Sequence, residues 1–96
     1  MRSYEIMYIL KADLDDAARK DVMDKLAAII TDNGGKVNKT DESMGLRELA
    51  YPIKDQTKGY YVVLKVDMDN KAINEFNRLV LINPSVLRHL IVVEHK

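Results

Sequence analysis

The chain has 96 residues, including 15 Lys and Arg, 15 Asp and Glu, two His and no Cys, and its formal net charge is zero. Without cysteine it can form neither a disulfide framework nor a thiolate zinc site. No apolar run approaches the roughly 18 residues of a membrane span, and the N-terminal sequence lacks the apolar core of a signal peptide. We therefore expect one cytoplasmic domain, residues 1–96, that does not associate with a membrane. Zero net charge also argues against nucleic-acid binding by bulk attraction to phosphate.

The first third of the sequence predicts a strand followed by a helix. Tyr4–Leu10 is short and rich in β-branched and aromatic residues, and its apolar character on both faces favours a central strand. From Asp15 to Asn33 apolar residues recur at intervals of three and four, which indicates an amphipathic helix. Asp13 or Asp15 is the expected N-cap, and Gly34-Gly35 is expected to end the helix.

The next segment, Lys36–Ile53, predicts a long and irregular strand. Gly45 indicates a bend or bulge within it. Pro52 has no N–H group to donate to a ladder, so this strand is expected at a sheet edge. Asp55–Gly59 is predicted to be the turn that follows it.

The last third predicts strand, helix and strand. Tyr60–Met68 has an apolar residue at every second position from Tyr60 onward and is the strongest strand pattern in the chain. Asn70 is expected to cap a helix that runs to about Ile82, with Asn83-Pro84 ending it. Leu87–Glu94 predicts the final strand.

The order β-α-β-β-α-β predicts an α+β, ferredoxin-like fold. Right-handed crossovers leave a gap between the first two strands, and the third strand fills it. The expected result is a four-stranded antiparallel sheet in the order 4-1-3-2, with two helices on one face.

Two helices cover only one side of such a sheet, so the apolar residues on the other side require an explanation. The covered face is expected to hold Ile6, Tyr8, Leu10, Val62, Leu64, Val66, Leu90 and Val92. The opposite face is then expected to hold six apolar residues, and we predict that they form a partner-binding surface: Met7, Ile9, Tyr61, Val63, Ile91 and Val93. A patch on the order of a few hundred Å² indicates an interaction site more often than chance. The alternatives are a homodimer interface and an ordinary solvent-exposed surface.

Signs of catalysis or metal binding are weak in this sequence. His89 and His95 have no Cys and no acidic cluster beside them, and a solvent-facing His on an edge strand is the simpler interpretation of His89. The first strand–helix loop carries three carboxylates, Asp13, Asp15 and Asp16, which would repel a phosphate substrate. We expect no enzyme activity, no metal site, no cofactor and no small-molecule substrate.

One segment partly matches an RNA-recognition motif, the single-stranded RNA reader with this strand order. Lys58-Gly59-Tyr60 begins like the motif, but Tyr61 and Val62 depart from it at the next two positions. Gly59 also has a sufficient explanation as a turn residue.

Three blocks of sequence together identify a family resemblance: Arg2-x-Tyr4-Glu5, the run from Gly45 to Ile53 with the letters GLRELAYPI, and Lys58-Gly59-Tyr60-Tyr61. In order and spacing they resemble bacterial small-subunit ribosomal protein six over essentially the whole chain. The resemblance implies a ferredoxin-like fold and a structural role in the small ribosomal subunit. It implies binding to the central domain of small-subunit rRNA as a heterodimer with ribosomal protein eighteen.

The same resemblance suggests RNA-binding residues. Arg2, Tyr4, Arg47 and Tyr51 match the family's motif, and Arg88 is a further candidate although the strand around it departs from the family's pattern. Arginine donates in pairs to phosphate oxygens, and tyrosine can stack or hydrogen-bond. Tyr4 and Tyr51 share the parity of packed neighbours, so a role in the core is the alternative for both.

Two other functions compete with this hypothesis. A ferredoxin-like domain can be a regulatory module that binds a small molecule between two copies. An acyl- or phosphohydrolase is the third possibility, and the acidic first loop disfavours it.

Overall fold

The computed structural model describes residues 2–93 and has six elements. They are β1 (Arg2–Lys11), α1 (Asp16–Asp32), β2 (Lys36–Ile53), β3 (Gln56–Met68), α2 (Asn70–Ile82) and β4 (Val86–Val93). The strand pairs are antiparallel, and the sheet order is β2-β3-β1-β4. This is the expected order 4-1-3-2 counted from the opposite edge, so the ferredoxin-like prediction is confirmed. Within residues 2–93 neither helix has the length and apolar stretch needed to cross a bilayer.

Both helices begin at an aspartate cap. The Asp15 carboxylate accepts a hydrogen bond from the Ala18 amide at 2.7 Å, as expected. α2 is capped by Asp69, whose carboxylate accepts from the Ala72 amide at 3.2 Å, and the expected cap Asn70 is its first helical residue. Asp and Asn both suit an N-cap, so two adjacent residues of this kind leave a one-residue ambiguity in the sequence. α1 ends as predicted, with Gly34 at a φ of +84°.

The core lies between the two helices and one face of the sheet. Even-numbered residues of β1 and β3 supply the sheet side, and every third or fourth residue of the helices supplies the other. Side chains with at most 2 % exposure include Ile6, Tyr8, Leu10, Leu26, Ile30, Val62, Leu64, Phe76 and Val80. The helices therefore leave the opposite face of the sheet uncovered.

The turn between β2 and β3 is earlier and tighter than the sequence suggested. It consists of Lys54 and Asp55 alone, with φ of +48° and +65°, and Ile53 pairs with Gln56 across it. Two consecutive residues with positive φ are typical of a type I′ hairpin turn. The predicted turn at Asp55–Gly59 is wrong in extent, because β3 already begins at Gln56.

Gly59 lies inside β3 for reasons of packing. A Cβ atom there would stand 2.3 Å from Ile9 Cγ2 and 3.3 Å from Leu49 Cδ2. The glycine therefore makes room for neighbouring side chains on the sheet, a requirement that resembles a turn signal in the sequence alone.

β2 is the irregular edge strand that Gly45 and Pro52 predicted. It has 18 residues against 13 in β3, and its pairing register shifts three times along its length. One shift ends at Gly45, where φ is +58°, and the last spans the segment between Glu48 and Ile53. Such bulges bend a strand and increase its twist.

The faces of β4 are the reverse of those expected. Ile91 lies opposite the buried Ile6, and Val93 lies opposite Tyr4, so both point to the helix side of the sheet. Ile91 packs against the core. The prediction that Ile91 and Val93 belong to the uncovered face is therefore wrong.

The residues that replace them on the uncovered face are Leu90 and Val92. Leu90 lies opposite Met7 on this face. Leu90 is 55 % exposed and Val92 is 49 % exposed. Leu90 and Val92 are as apolar as their neighbours in sequence, so alternation could not decide between the faces. β4 also has a register shift at Leu87. Counting alternate residues from the start of the strand therefore does not show which face each residue lies on.

Candidate functional site

The uncovered side of the sheet has an apolar half, which we call the apolar patch and define as Met7, Tyr61, Val63, Leu90 and Val92. Two members of the patch also line a concavity of about 440 Å³, which is formed by Met7, Ile9, Arg88, His89 and Leu90. Of the residues predicted for partner binding, Met7, Tyr61 and Val63 lie on this side and are partly exposed. Ile9 also lies there but is only 7 % exposed, so little of it is available to a partner.

The other half of the uncovered side is polar. The Ser3 hydroxyl donates to Asp67 Oδ1 at 2.7 Å, and Glu5 lies opposite Lys65 on the neighbouring strand. Opposite charges at facing positions support the pairing of β1 with β3. This half surrounds the N-terminal end of β1. Val92, opposite Glu5, is the one member of the apolar patch that extends beside it, and the other members lie toward the β2–β3 turn.

Two side-chain contacts join the β2–β3 hairpin to β4 at the edge of the apolar patch. The Arg88 guanidinium carbon lies 5.3 Å from the centre of the Tyr51 ring, a cation–π contact. The Lys54 ammonium donates to the Val86 carbonyl at 3.2 Å. Tyr51 is 52 % exposed, so about half of the residue remains accessible beside the arginine.

Arg47 lies on the same hairpin. Its Nε donates to the Met44 carbonyl at 3.0 Å, and the residue is exposed. Arg47 pairs with Gly59, which in turn faces the last residue of β1, so this arginine is at the same end of the sheet as Tyr51 and Arg88. Three of the five predicted RNA-binding residues are therefore brought to one end.

Arg2 and Tyr4 lie at the opposite end. Arg2 is opposite Met68 and the position opposite Arg88 is Ile9, seven residues farther along β1, which is about 23 Å at strand spacing. Tyr4 is 8 % exposed and belongs to the core cluster, so its ring face cannot stack on a base. The two residues line a concavity together with Asp69 and Asn70.

His89 is turned toward the helices, so the expectation of a solvent-facing histidine is wrong. Its Nε2 lies 2.8 Å from Asn77 Oδ1, and its ring meets the Phe76 ring edge-on with the centres 6.2 Å apart. Burial lowers the pKa of His89 below its ordinary value of 6.5. Residues 2–93 contain no group of three or more His, Cys, Asp or Glu placed to hold a metal ion, and His95 lies outside the described residues.

The fold and this surface define a small ferredoxin-like domain with an uncovered sheet face, and comparison with known proteins gives its family. The family profile described as Ribosomal protein S6 matches residues 3–93. Small ribosomal subunit protein bS6 of Shouchella clausii is 44 % identical over all 96 residues, which covers the whole of both chains. The crystal structure of 30S ribosomal protein S6 from Thermotoga maritima superposes with a TM-score of 0.89 at 26 % identity, over 97 % of this chain and 87 % of that one.

The chain belongs to the ribosomal protein S6 family of the small ribosomal subunit. The resemblance seen in the sequence is therefore confirmed. The family is one of ribosomal structural proteins and not of enzymes, which agrees with the expectation that the chain has no catalytic function.

Proposed function

We propose that this chain binds the central domain of small-subunit rRNA in the cytoplasm as one half of a heterodimer with ribosomal protein eighteen. It contributes in this way to assembly and translation. The observation that carries the proposal is the Tyr51–Arg88 pair at the margin of the apolar patch. The Tyr51–Arg88 pair suits RNA and the apolar patch suits a protein partner, and the two are contiguous on the surface.

The RNA side of the proposal rests on the arginines. A guanidinium donates in a fixed fork to phosphate oxygens, and Arg47 and Arg88 are both exposed at one end of the sheet. Tyr51 offers a ring that a base can stack on. Arg2 supplies a second phosphate contact about 23 Å away along β1, and Tyr4 supports that end from within the core.

The protein side rests on the apolar patch and on charge. The patch exposes Leu90 and Val92 where an antiparallel sheet facing water usually carries polar residues. The chain has zero net charge, so it brings no surplus of positive charge to a polyanion. A basic partner on the patch would supply that charge beside Arg88.

The proposal is tested by measuring how tightly the chain, mixed with ribosomal protein eighteen, binds a central-domain rRNA fragment at several salt concentrations. We expect Arg88→Ala and Arg47→Ala each to weaken binding and to reduce the slope of log K against log salt by about 0.7 to 0.9. Lys20→Ala removes an exposed cation from α1 on the covered side and is the matched control. Unchanged affinity and slope for both arginine variants, or a homodimer that binds neither partner nor RNA, would contradict the proposal.

A further inference from the structure

The β2–β3 hairpin reaches a strand that the sheet order places far from it. β2 and β4 are the two edges of the sheet, with β3 and β1 between them. In a flat sheet the edges would stand about 14 Å apart, three times the inter-strand spacing. Lys54 nevertheless contacts Val86, and Tyr51 contacts Arg88. The end of the hairpin therefore curls over the end of the sheet.

The bulged end of β2 makes this curl possible. Between the pairs Glu48–Lys58 and Ile53–Gln56, β2 has four intervening residues where β3 has one, Thr57. The surplus residues take Tyr51 out of the regular ladder, so the ladder does not fix its position. Side-chain contacts with β4 must supply that positioning.

Lys54 occupies an unusual backbone position for its residue type. The first central residue of a type I′ turn is ordinarily Asn, Asp or Gly, because positive φ brings Cβ close to the carbonyl oxygen. Lys54 holds a φ of +48° there. Backbone strain of this kind persists where the surrounding structure over-determines it, and it concentrates at functional sites. The Lys54 ammonium is the group that reaches β4, and Asn or Gly could not make that contact.

We propose that Lys54 is a positioning residue for RNA binding: its hydrogen bond to the Val86 carbonyl holds the hairpin against β4 so that Tyr51 and Arg88 form one preassembled contact unit. The consequence for RNA binding rests on the proposed function, but the contact between the hairpin and β4 is a property of the free protein. Two anchors on the same strand, at Val86 and Arg88, fix the orientation of the hairpin end as well as its distance. An aromatic ring and a guanidinium held in advance lose less conformational freedom when RNA binds.

The test separates the hairpin contact from overall stability. Lys54→Asn removes the ammonium and at the same time relaxes the positive φ, so these two contributions to the free energy of unfolding oppose each other. We expect the urea midpoint to stay close to that of the native sequence. The upfield ring-current shift that Tyr51 imposes on the Arg88 side-chain protons, measured by NMR on the free protein, is expected to fall substantially.

Two further variants provide the controls. Lys54→Arg retains a cationic donor of similar reach and is expected to keep the ring-current shift. Asp55→Gly relaxes the neighbouring positive φ without removing the ammonium and is also expected to keep it. A full ring-current shift in Lys54→Asn would overturn the inference, and so would an equal loss of the shift in Asp55→Gly.

Binding to the rRNA fragment with ribosomal protein eighteen supplies the second readout. We expect Lys54→Asn to weaken binding on the order of tenfold, with Lys54→Arg and Asp55→Gly close to the native affinity. If Arg88→Ala weakens binding and Lys54→Asn does not, the positioning role is refuted while the proposed function stands. If Arg88→Ala and Arg47→Ala leave binding unchanged, the proposed function fails, and the NMR shift still decides whether Lys54 positions the pair.

Discussion

Tyr8 has a hydroxyl group that is fully enclosed in the core. Its side chain has no exposed surface, and within residues 2–93 its oxygen has no hydrogen-bond partner. Burial raises the pKa of Tyr8 above its ordinary value of 10.0, with Glu42 and Asp24 adding to the effect. A phenol in such a place keeps its proton and contributes through its ring rather than through its hydroxyl.

We predict that Tyr8→Phe leaves the free energy of unfolding unchanged or raises it by about 1 kcal/mol, because it removes an unsatisfied polar group. Because the folded-state pKa of Tyr8 is raised, the pH-dependent contribution of Tyr8 to the free energy of unfolding is present below pH 10 and is lost as pH rises above it. Urea titrations of both proteins at pH 7 and pH 10.5 measure the two effects. Tyr60→Phe, which loses a hydrogen bond to Glu42, is the control. A clear loss of stability in Tyr8→Phe at pH 7 would show that the hydroxyl has a partner.

His89 contributes to stability in the opposite direction with pH. Because its folded-state pKa lies below 6.5, the folded protein resists protonation more than the unfolded chain does. Its contribution is complete above pH 6.5 and is lost as pH falls through the folded-state pKa. We expect His89→Gln, which can still hydrogen-bond to Asn77, to show a smaller loss of stability between pH 7 and pH 5. Parallel curves for the two proteins, obtained by urea unfolding at closely spaced pH values, would contradict this assignment.

At the scale of elements, Gly59 shows how closely β3 packs against its neighbours. A methyl group there would overlap Ile9 and approach Leu49. We predict that Gly59→Ala lowers the free energy of unfolding by about 1 to 3 kcal/mol through overpacking. Combining it with Ile9→Ala, which removes the obstructing methyl group, should recover part of that loss. A double-mutant cycle measures the coupling, and strict additivity of the two changes would refute the steric explanation.

The elements themselves were largely predictable from sequence because each has its own periodicity and punctuation. α1 shows a helical repeat between Asp15 and Gly34, and β3 has apolar residues at every second position from Tyr60 to Met68, so the type of both elements was predicted correctly. β4 could not be oriented, because Leu90 and Ile91 are equally apolar and only the pairing with β1 distinguishes their faces. The contacts of Lys54 and Tyr51 with β4 depend on the curl of a bulged hairpin. The local sequence does not indicate how far such a hairpin curls.

At the scale of the whole molecule, the two sides of the sheet differ in their exposure to solvent. The helices bury one side, and the other exposes a leucine and a valine beside a cation–π pair. We predict that Leu90→Lys weakens association with ribosomal protein eighteen at least tenfold, about 1.4 kcal/mol, since it places a charge in the apolar patch.

Leu81→Lys provides the matched control for this prediction. Leu81 is 70 % exposed, but it lies on α2 and therefore on the covered side of the sheet. We expect this variant to associate as the native chain does, and calorimetric titration of both variants gives the comparison. Equal weakening of the association by Leu90→Lys and Leu81→Lys would mean that the partner does not bind specifically at the apolar patch.

The irregular pairing of β2 has a consequence for the chain on its own. A regular edge strand presents a periodic row of N–H and C=O groups on which another molecule can add a strand, and repetition of that step produces fibrils. The register shifts of β2 interrupt its period, and Pro52 removes one donor altogether. At the other edge β4 is only eight residues long and has a shift of its own. A chain built in this way can leave an apolar patch uncovered and still remain in concentrated solution without polymerising through its edges.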